Sequence, residues 1–194
     1  FLEYNEKNQH ISLNDLYHQK IKLLFDESKA TTNKWLYNYQ YSGIIASQIN
    51  NSRIIHCFRN PLDNILSIYR ANFSKGNQYS SSIVDCAKVL CNLEEKMKIY
   101  KRRFKTKIYD LNYDLLVKNP QTTIKSLVNW LQWEWNDSYL SPHKNKRSVL
   151  TRSNVEIRSP INTKSLEGWK NYKDILKPAI AILSKKDSFK DLID

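Results

Sequence analysis

Apolar residues recur along this 194-residue chain with two periods, which together predict a series of helices interrupted by short strands. Leu13, Leu16, Tyr17, Ile21, Leu24 and Phe25 fall at helical spacing and predict a helix over 12–27. Ser12 is its N-cap candidate, with Asp15 three residues on. A short polar run with two threonines reads as a weak strand over 29–34, and Ile44, Ile45 and Ile49 mark a helix entered from Asn38. The chain is organised around 52–73. There Arg53-Ile54-Ile55-His56-Cys57-Phe58 is largely apolar and predicts a strand buried on both faces. Asn60 can cap the helix that follows, Pro61 suits its first position, and Asp63 sits in the positive first turn. Leu62, Ile65, Leu66, Tyr69 and Phe73 give that helix one buried stripe, and Asp63, Ser67, Arg70 and Ser74 lie opposite.

Beyond a loop over 74–80, a long helix is expected over 82–104, started by Ser82 and Asp85 and turned inward through Ile83, Ala87, Leu90 and Met97. Lys101-Arg102-Arg103 suit the negative pole at its end. Residues 107–113 alternate as a strand, and Asp114-Leu115-Leu116 begins a turn of helix. Asn119-Pro120 caps a further helix with the stripe Ile124, Leu127, Val128 and Leu131. Trp130, Trp133 and Trp135 at its end read as core packing. The stretch 142–164 is polar, and a loop of that length is commonly functional or disordered. A helix over 172–183 and a fraying end over 187–194 complete the reading.

Composition narrows the classes. The length suits a single domain with a real core. Hydrophobic residues at 41% and aromatics at 12% exclude a disordered chain, and no run approaches the ~20 apolar residues that span a bilayer. The chain opens without a methionine or a signal peptide, and the expectation is a piece of a longer protein. A net charge of +12 favours an anionic partner: a nucleotide, an acidic acceptor or nucleic acid. Cys57, Cys86 and Cys91 make no metal spacing, and an odd number of buried-looking thiols suits a reducing, cytoplasmic setting. With only 3 glycines, no glycine-rich phosphate cradle is visible.

The candidate chemistry lies at the carboxyl end of the first strand, where open α/β sheets bind ligands. Arg59 is a two-pronged charged donor, and Ser67 offers a hydroxyl roughly 10 Å along the adjoining helix at about 1.5 Å per residue. Together they suit one phosphate; the plainer alternative is an ion pair between Arg59 and Asp63. Over 53–69 the sequence closely resembles the 3′-phosphate-binding segment of the PAPS-dependent sulfotransferases, most closely the bacterial branch found fused to TPR repeats and related to protein-tyrosine sulfotransferases. Tyr113-Asp114-Leu115-Leu116-Val117 with Pro120 resembles the family's Tyr-Glu-Asp-Leu-Val-x-x-Pro. Asn33-Lys34 with Asn38 resembles its Asp-Lys-Met-Pro-x-Asn without the proline. Thr151-Arg152-Ser153, Arg158-Ser159-Pro160-Ile161 and Ser165 with Trp169 resemble its lid and the segment after it.

The resemblance implies an α/β, three-layer, P-loop-NTPase-like fold with a short parallel sheet flanked by helices, lacking the family's first strand and phosphosulfate loop. It implies sulfuryl transfer from PAPS (3′-phosphoadenosine 5′-phosphosulfate) to a hydroxyl acceptor. Arg59 and Ser67 would hold the 3′-phosphate, Tyr113 the adenine, and Arg158 and Asn162 the phosphates. Lys34 and Ser153 would stabilise the transferring group, in a reaction run by positioning and cationic charge. No residue fits the catalytic base: His56 lies inside a strand, and His10, His18 and His143 have no visible partner. The expectation is therefore a fragment or degenerate member that keeps the nucleotide side of the site, binds the product PAP and needs no metal. A basic nucleic-acid-binding or protein-interaction domain without catalysis is the alternative, and a phosphoryl-transferring P-loop relative is disfavoured by the missing Walker lysine.

Overall fold

The computed structural model describes residues 11–23, 30–71, 73, 76–145 and 158–192. They belong to two compact units, one of Phe1–Ile54 with Lys96–Ile108, the other of Ile55–Glu95 with Tyr109–Asp194.

The first unit holds α1 (Leu13–Lys22) and α2 (Asn38–Gln48). The Ser12 hydroxyl accepts the N–H of Asp15 at 3.1 Å and so caps α1 as its sequence predicts. Residues 30–34 form no strand, which corrects that expectation. Nothing among the described residues pairs this short polar run into a ladder: Asn38 instead donates to the side chain of Asn33 at 2.8 Å. Gly43 of α2 lies against the ring of Tyr100, and a Cβ there would sit 2.6 Å from the ring. Only glycine permits that approach. The ammonium of Lys107 donates to the carbonyl of Ala46 at 2.7 Å, filling one of the acceptors that a helix end leaves open.

The second unit contains most of a two-stranded parallel sheet, β1 (Ile54–Phe58) beside β2 (Ile108–Asn112). After β1 comes α3 (Pro61–Ala71), then α4 (Ile83–Arg103); after β2 come α5 (Tyr113–Lys118), α6 (Pro120–Leu131) and finally α7 (Lys173–Leu183). Helices flank both faces of the sheet. Tyr109 meets Trp130 of α6 at 5.2 Å between ring centroids, and His56 points to Glu94 of α4. Leu62, Ile65 and Leu66 of α3 pack with Cys86, Ala87 and Leu90 of α4 and with Leu176, Ala179 and Leu183 of α7, closed off by Trp169. Burying one such side chain contributes about 1.5–3 kcal/mol, so this cluster carries most of the unit's cohesion.

Several expectations are corrected here. β1 is not buried on both faces: Ile55 and Cys57 are exposed while His56 is buried, the alternation of a strand covered on one side. Tyr69 and Phe73 are exposed, because the apolar contact of α3 is made by its first two turns. Asp63, assigned by its spacing to the polar face, is buried. Asn119 makes no side-chain cap on α6, whose Pro120 needs none at that position, whereas Asn112 caps α5 by accepting from Asp114 and Leu115. Trp133 is exposed rather than in the core. Residues 187–192, expected to fray, instead form a short 3-10 turn (Asp187–Leu192) with Phe189 in the core.

Burial raises the thiol of Cys86 to about 11, with the Asp85 charge adding to the effect, and its sulfur donates to the carbonyl of Tyr79. A maleimide applied to the folded chain at pH 8 should therefore modify Cys57 and spare Cys86 and Cys91 until denaturant is added, as mass spectrometry of the digest would read. Replacing Gly43 by alanine should destabilise the chain by about 1–3 kcal/mol through overpacking against Tyr100, measured by chemical denaturation.

Candidate functional site

The carboxyl ends of β1 and β2 deliver two helix starts side by side. Asn60 caps α3, its side-chain oxygen accepting the N–H groups of Leu62 and Asp63 at 3.0 and 3.2 Å. Its own N–H donates to Asp114 of α5 at 2.7 Å, which ties the two helix starts together. Arg59 and Tyr113 are thereby brought together, with the guanidinium 5.0 Å from the ring centroid, inside cation–π range.

A third segment closes over them. The carboxylate of Asp63 accepts the backbone N–H groups of Glu167 at 2.7 Å and Trp169 at 2.9 Å. Glu167 takes a left-handed backbone, φ 57°, which costs a non-glycine residue about 1–2 kcal/mol and is held by that bond and by the burial of Trp169. The turn presents Ser165. Its carbonyl accepts from Nη2 of Arg59, and its hydroxyl lies 3.1 Å from that of Tyr113.

Charge at this point is balanced by backbone donors. Asp63 lies 3.6 Å and Asp114 4.0 Å from the guanidinium, too far for hydrogen bonds, and each already accepts backbone N–H groups. Nε of Arg59 and Oδ1 of Asp114 are both buried without a hydrogen-bond partner among the described residues. The two orphaned atoms face each other at 4.0 Å, an ion pair too long for a hydrogen bond. The pair of Arg59 with Asp63, the plainer sequence alternative, is thus present as a loose contact beside the arginine's other partners.

The remaining candidates sit as follows. Ser67 is exposed two turns up α3. Arg158 is exposed, with Nη1 donating to the carbonyl of Asn145. Asn162 is exposed in a local turn, donating to the carbonyl of Pro160 and accepting from the N–H of Lys164. Lys34 is exposed in the first unit. Ser153 and most of the expected lid lie outside the described residues. Among the described residues no cluster of three or more His, Cys, Asp or Glu is placed to hold a metal ion, and no helix is long and apolar enough to cross a membrane. Sequence reading missed Ser165 and Asp114 as neighbours of Arg59. Their one local signal was the Ser-x-x-x-Trp spacing of Ser165 with Trp169.

The comparisons agree with this architecture. The model of the sulfotransferase family matches residues 3–137, and the chain belongs to that family. An uncharacterized protein of Aquifex aeolicus (strain VF5) is 30% identical over 181 residues, covering 92% of this chain and 24% of that protein. The chain thus spans about a quarter of the length of this relative. The sulfotransferase domain from the curacin biosynthetic pathway superposes with a TM-score of 0.65 at 16% identity, covering 95% of this chain and 71% of that one, and shares its fold.

Replacing Asp63 by alanine should leave the N–H groups of Glu167 and Trp169 without an acceptor and destabilise the chain by about 2–4 kcal/mol. The Asp63→Asn variant, keeping one acceptor oxygen, should lose roughly half as much; urea denaturation followed by tryptophan fluorescence would show it.

Proposed function

We infer that this chain forms the nucleotide-holding part of a sulfotransferase that uses PAPS and releases PAP. The observation that carries the reading is the guanidinium of Arg59 over the ring of Tyr113 at the carboxyl ends of two adjacent parallel strands. Arg59 and Ser67 take the 3′-phosphate, and Tyr113 lies against the adenine, where an aromatic face stacks on a purine. Arg158 and Asn162 approach the phosphates once released from their local partners.

In the reaction the bond between sulfur and the nucleotide's 5′-phosphate oxygen breaks as the acceptor hydroxyl oxygen bonds to sulfur, and the hydroxyl proton passes to water. Negative charge gathers on the departing phosphate; Lys34 as a cation and Ser153 as a hydroxyl donor are assigned to it by the resemblance of their segments alone. The chain's net charge of +12 draws the polyanionic donor toward it. Family membership disfavours the alternative of a nucleic-acid or docking module without catalysis. The branch related to protein-tyrosine sulfotransferases and a cytoplasmic setting belong to this reading through the resemblance of the sequence.

Calorimetry with PAP tests the reading. Arg59→Ala should weaken binding roughly tenfold to a hundredfold, the worth of one charge-assisted phosphate contact at about 1.5–3 kcal/mol. Because Asp63 and Asp114 keep their backbone donors, the variant should remain folded. Adenosine 5′-phosphate, lacking the 3′-phosphate, should bind both proteins weakly and equally. Absence of heat with millimolar PAP, or equal affinity in the variant, would remove the assignment.

A further inference from the structure

The geometry points to His56 and Asp110 as a positioning pair: a cross-strand clamp that sets the register of β1 against β2 and so brings Arg59 over Tyr113. The inference rests on the nucleotide-binding reading for its function but not for its geometry. His56 is buried in β1, and its Nδ1 lies 3.0 Å from Oδ1 of Asp110 on β2. A carboxylate only accepts, so Nδ1 carries the hydrogen. Nε2 is turned to Glu94 of α4 at 3.5 Å, and the ring stacks on Phe58 with centroids 5.8 Å apart and 16° between planes. Nε2 has no hydrogen-bond partner among the described residues, so the imidazole is oriented by β2 and by its own strand.

The numbering gives the clamp its consequence. Arg59 follows His56 by three residues and Tyr113 follows Asp110 by three, and in a parallel pair equal offsets bring equal positions out together. A slip of one residue would displace Tyr113 by about 3.3 Å along the strand and turn the intervening side chains to the opposite face. The 5.0 Å contact would then exceed the roughly 6 Å reach of a cation–π pair. A two-stranded sheet has few ladder bonds to resist such a slip, and the short apolar positions of β1 specify little. A buried polar pair with one good partner does specify it, as single polar groups fix register in other buried seams.

Three variants test this. His56→Phe fills the volume without a donor, His56→Gln keeps a donor, and Asp110→Ala removes the acceptor from a half-exposed site. The readouts are the ring-current shift that Tyr113 imposes on the Arg59 side chain, seen by NMR without ligand, and the affinity for PAP. His56→Phe and Asp110→Ala should lose the shift and bind PAP roughly three- to tenfold more weakly, and His56→Gln should restore both. A purely structural histidine would instead lower stability in all three and leave the shift in place. Retention of the shift and of wild-type affinity in folded Asp110→Ala overturns the clamp, and that variant decides if His56→Phe does not fold. Should the unmodified chain fail to bind PAP, the nucleotide reading falls while the ring-current shift alone decides the clamp.

Discussion

The carboxylate of Asp63 is the contact on which the site depends. It stands in the first turn of α3, and its two oxygens take the backbone N–H groups of Glu167 and Trp169, about a hundred residues further on. That contact holds Glu167 in a backbone region it would not otherwise favour and seats Trp169 in the core. It also places Ser165 where both Arg59 and Tyr113 can reach it. Covalently distant parts of the chain therefore meet through one buried anion whose charge is neutralised by backbone donors rather than by a cation alone. The guanidinium of Arg59 pairs loosely with two carboxylates, Asp63 at 3.6 Å and Asp114 at 4.0 Å.

Under the proposed reading, Arg59 exchanges its present partners for an anion, and this arrangement suits the exchange. A bidentate pair with a buried carboxylate would hold it too firmly, since breaking a buried pair costs about 3–5 kcal/mol. Here the arginine has a carbonyl acceptor, a ring beneath it and two carboxylates just beyond bonding distance. A phosphate oxygen can replace the carbonyl of Ser165 with a stronger, fully charged acceptor, and the exchange costs one ordinary hydrogen bond, about 1 kcal/mol net.

Features set by neighbours in sequence were legible before the fold was known. Ser12, Asn60-Pro61 and Ser82 start their helices as cap chemistry dictates, and both strands and the long α4 fall where apolar periodicity puts them. Arg59 and Tyr113 each read as lying at the end of a strand, but the contact of guanidinium with ring was not among the expectations. Features set by distant partners were not legible. Asp63 has the spacing of a polar-face residue, and nothing nearby announces two N–H groups from residues 167 and 169. Cys57 sits in an apolar run that reads as fully buried, yet its face of the strand is open. Phe189 follows polar residues and reads as a frayed end, while the core among α3, α4 and α7 takes it in. His56 reads as an apolar-strand oddity until Asp110, on the other strand, supplies its partner.

The most direct measurement is a crystal structure of the chain grown with PAP. The account predicts the 3′-phosphate within about 3 Å of the Arg59 guanidinium. It also predicts the adenine along the Tyr113 ring and the Ser165 carbonyl released from the arginine. Nucleotide bound elsewhere, with Arg59 still on Ser165, would contradict it.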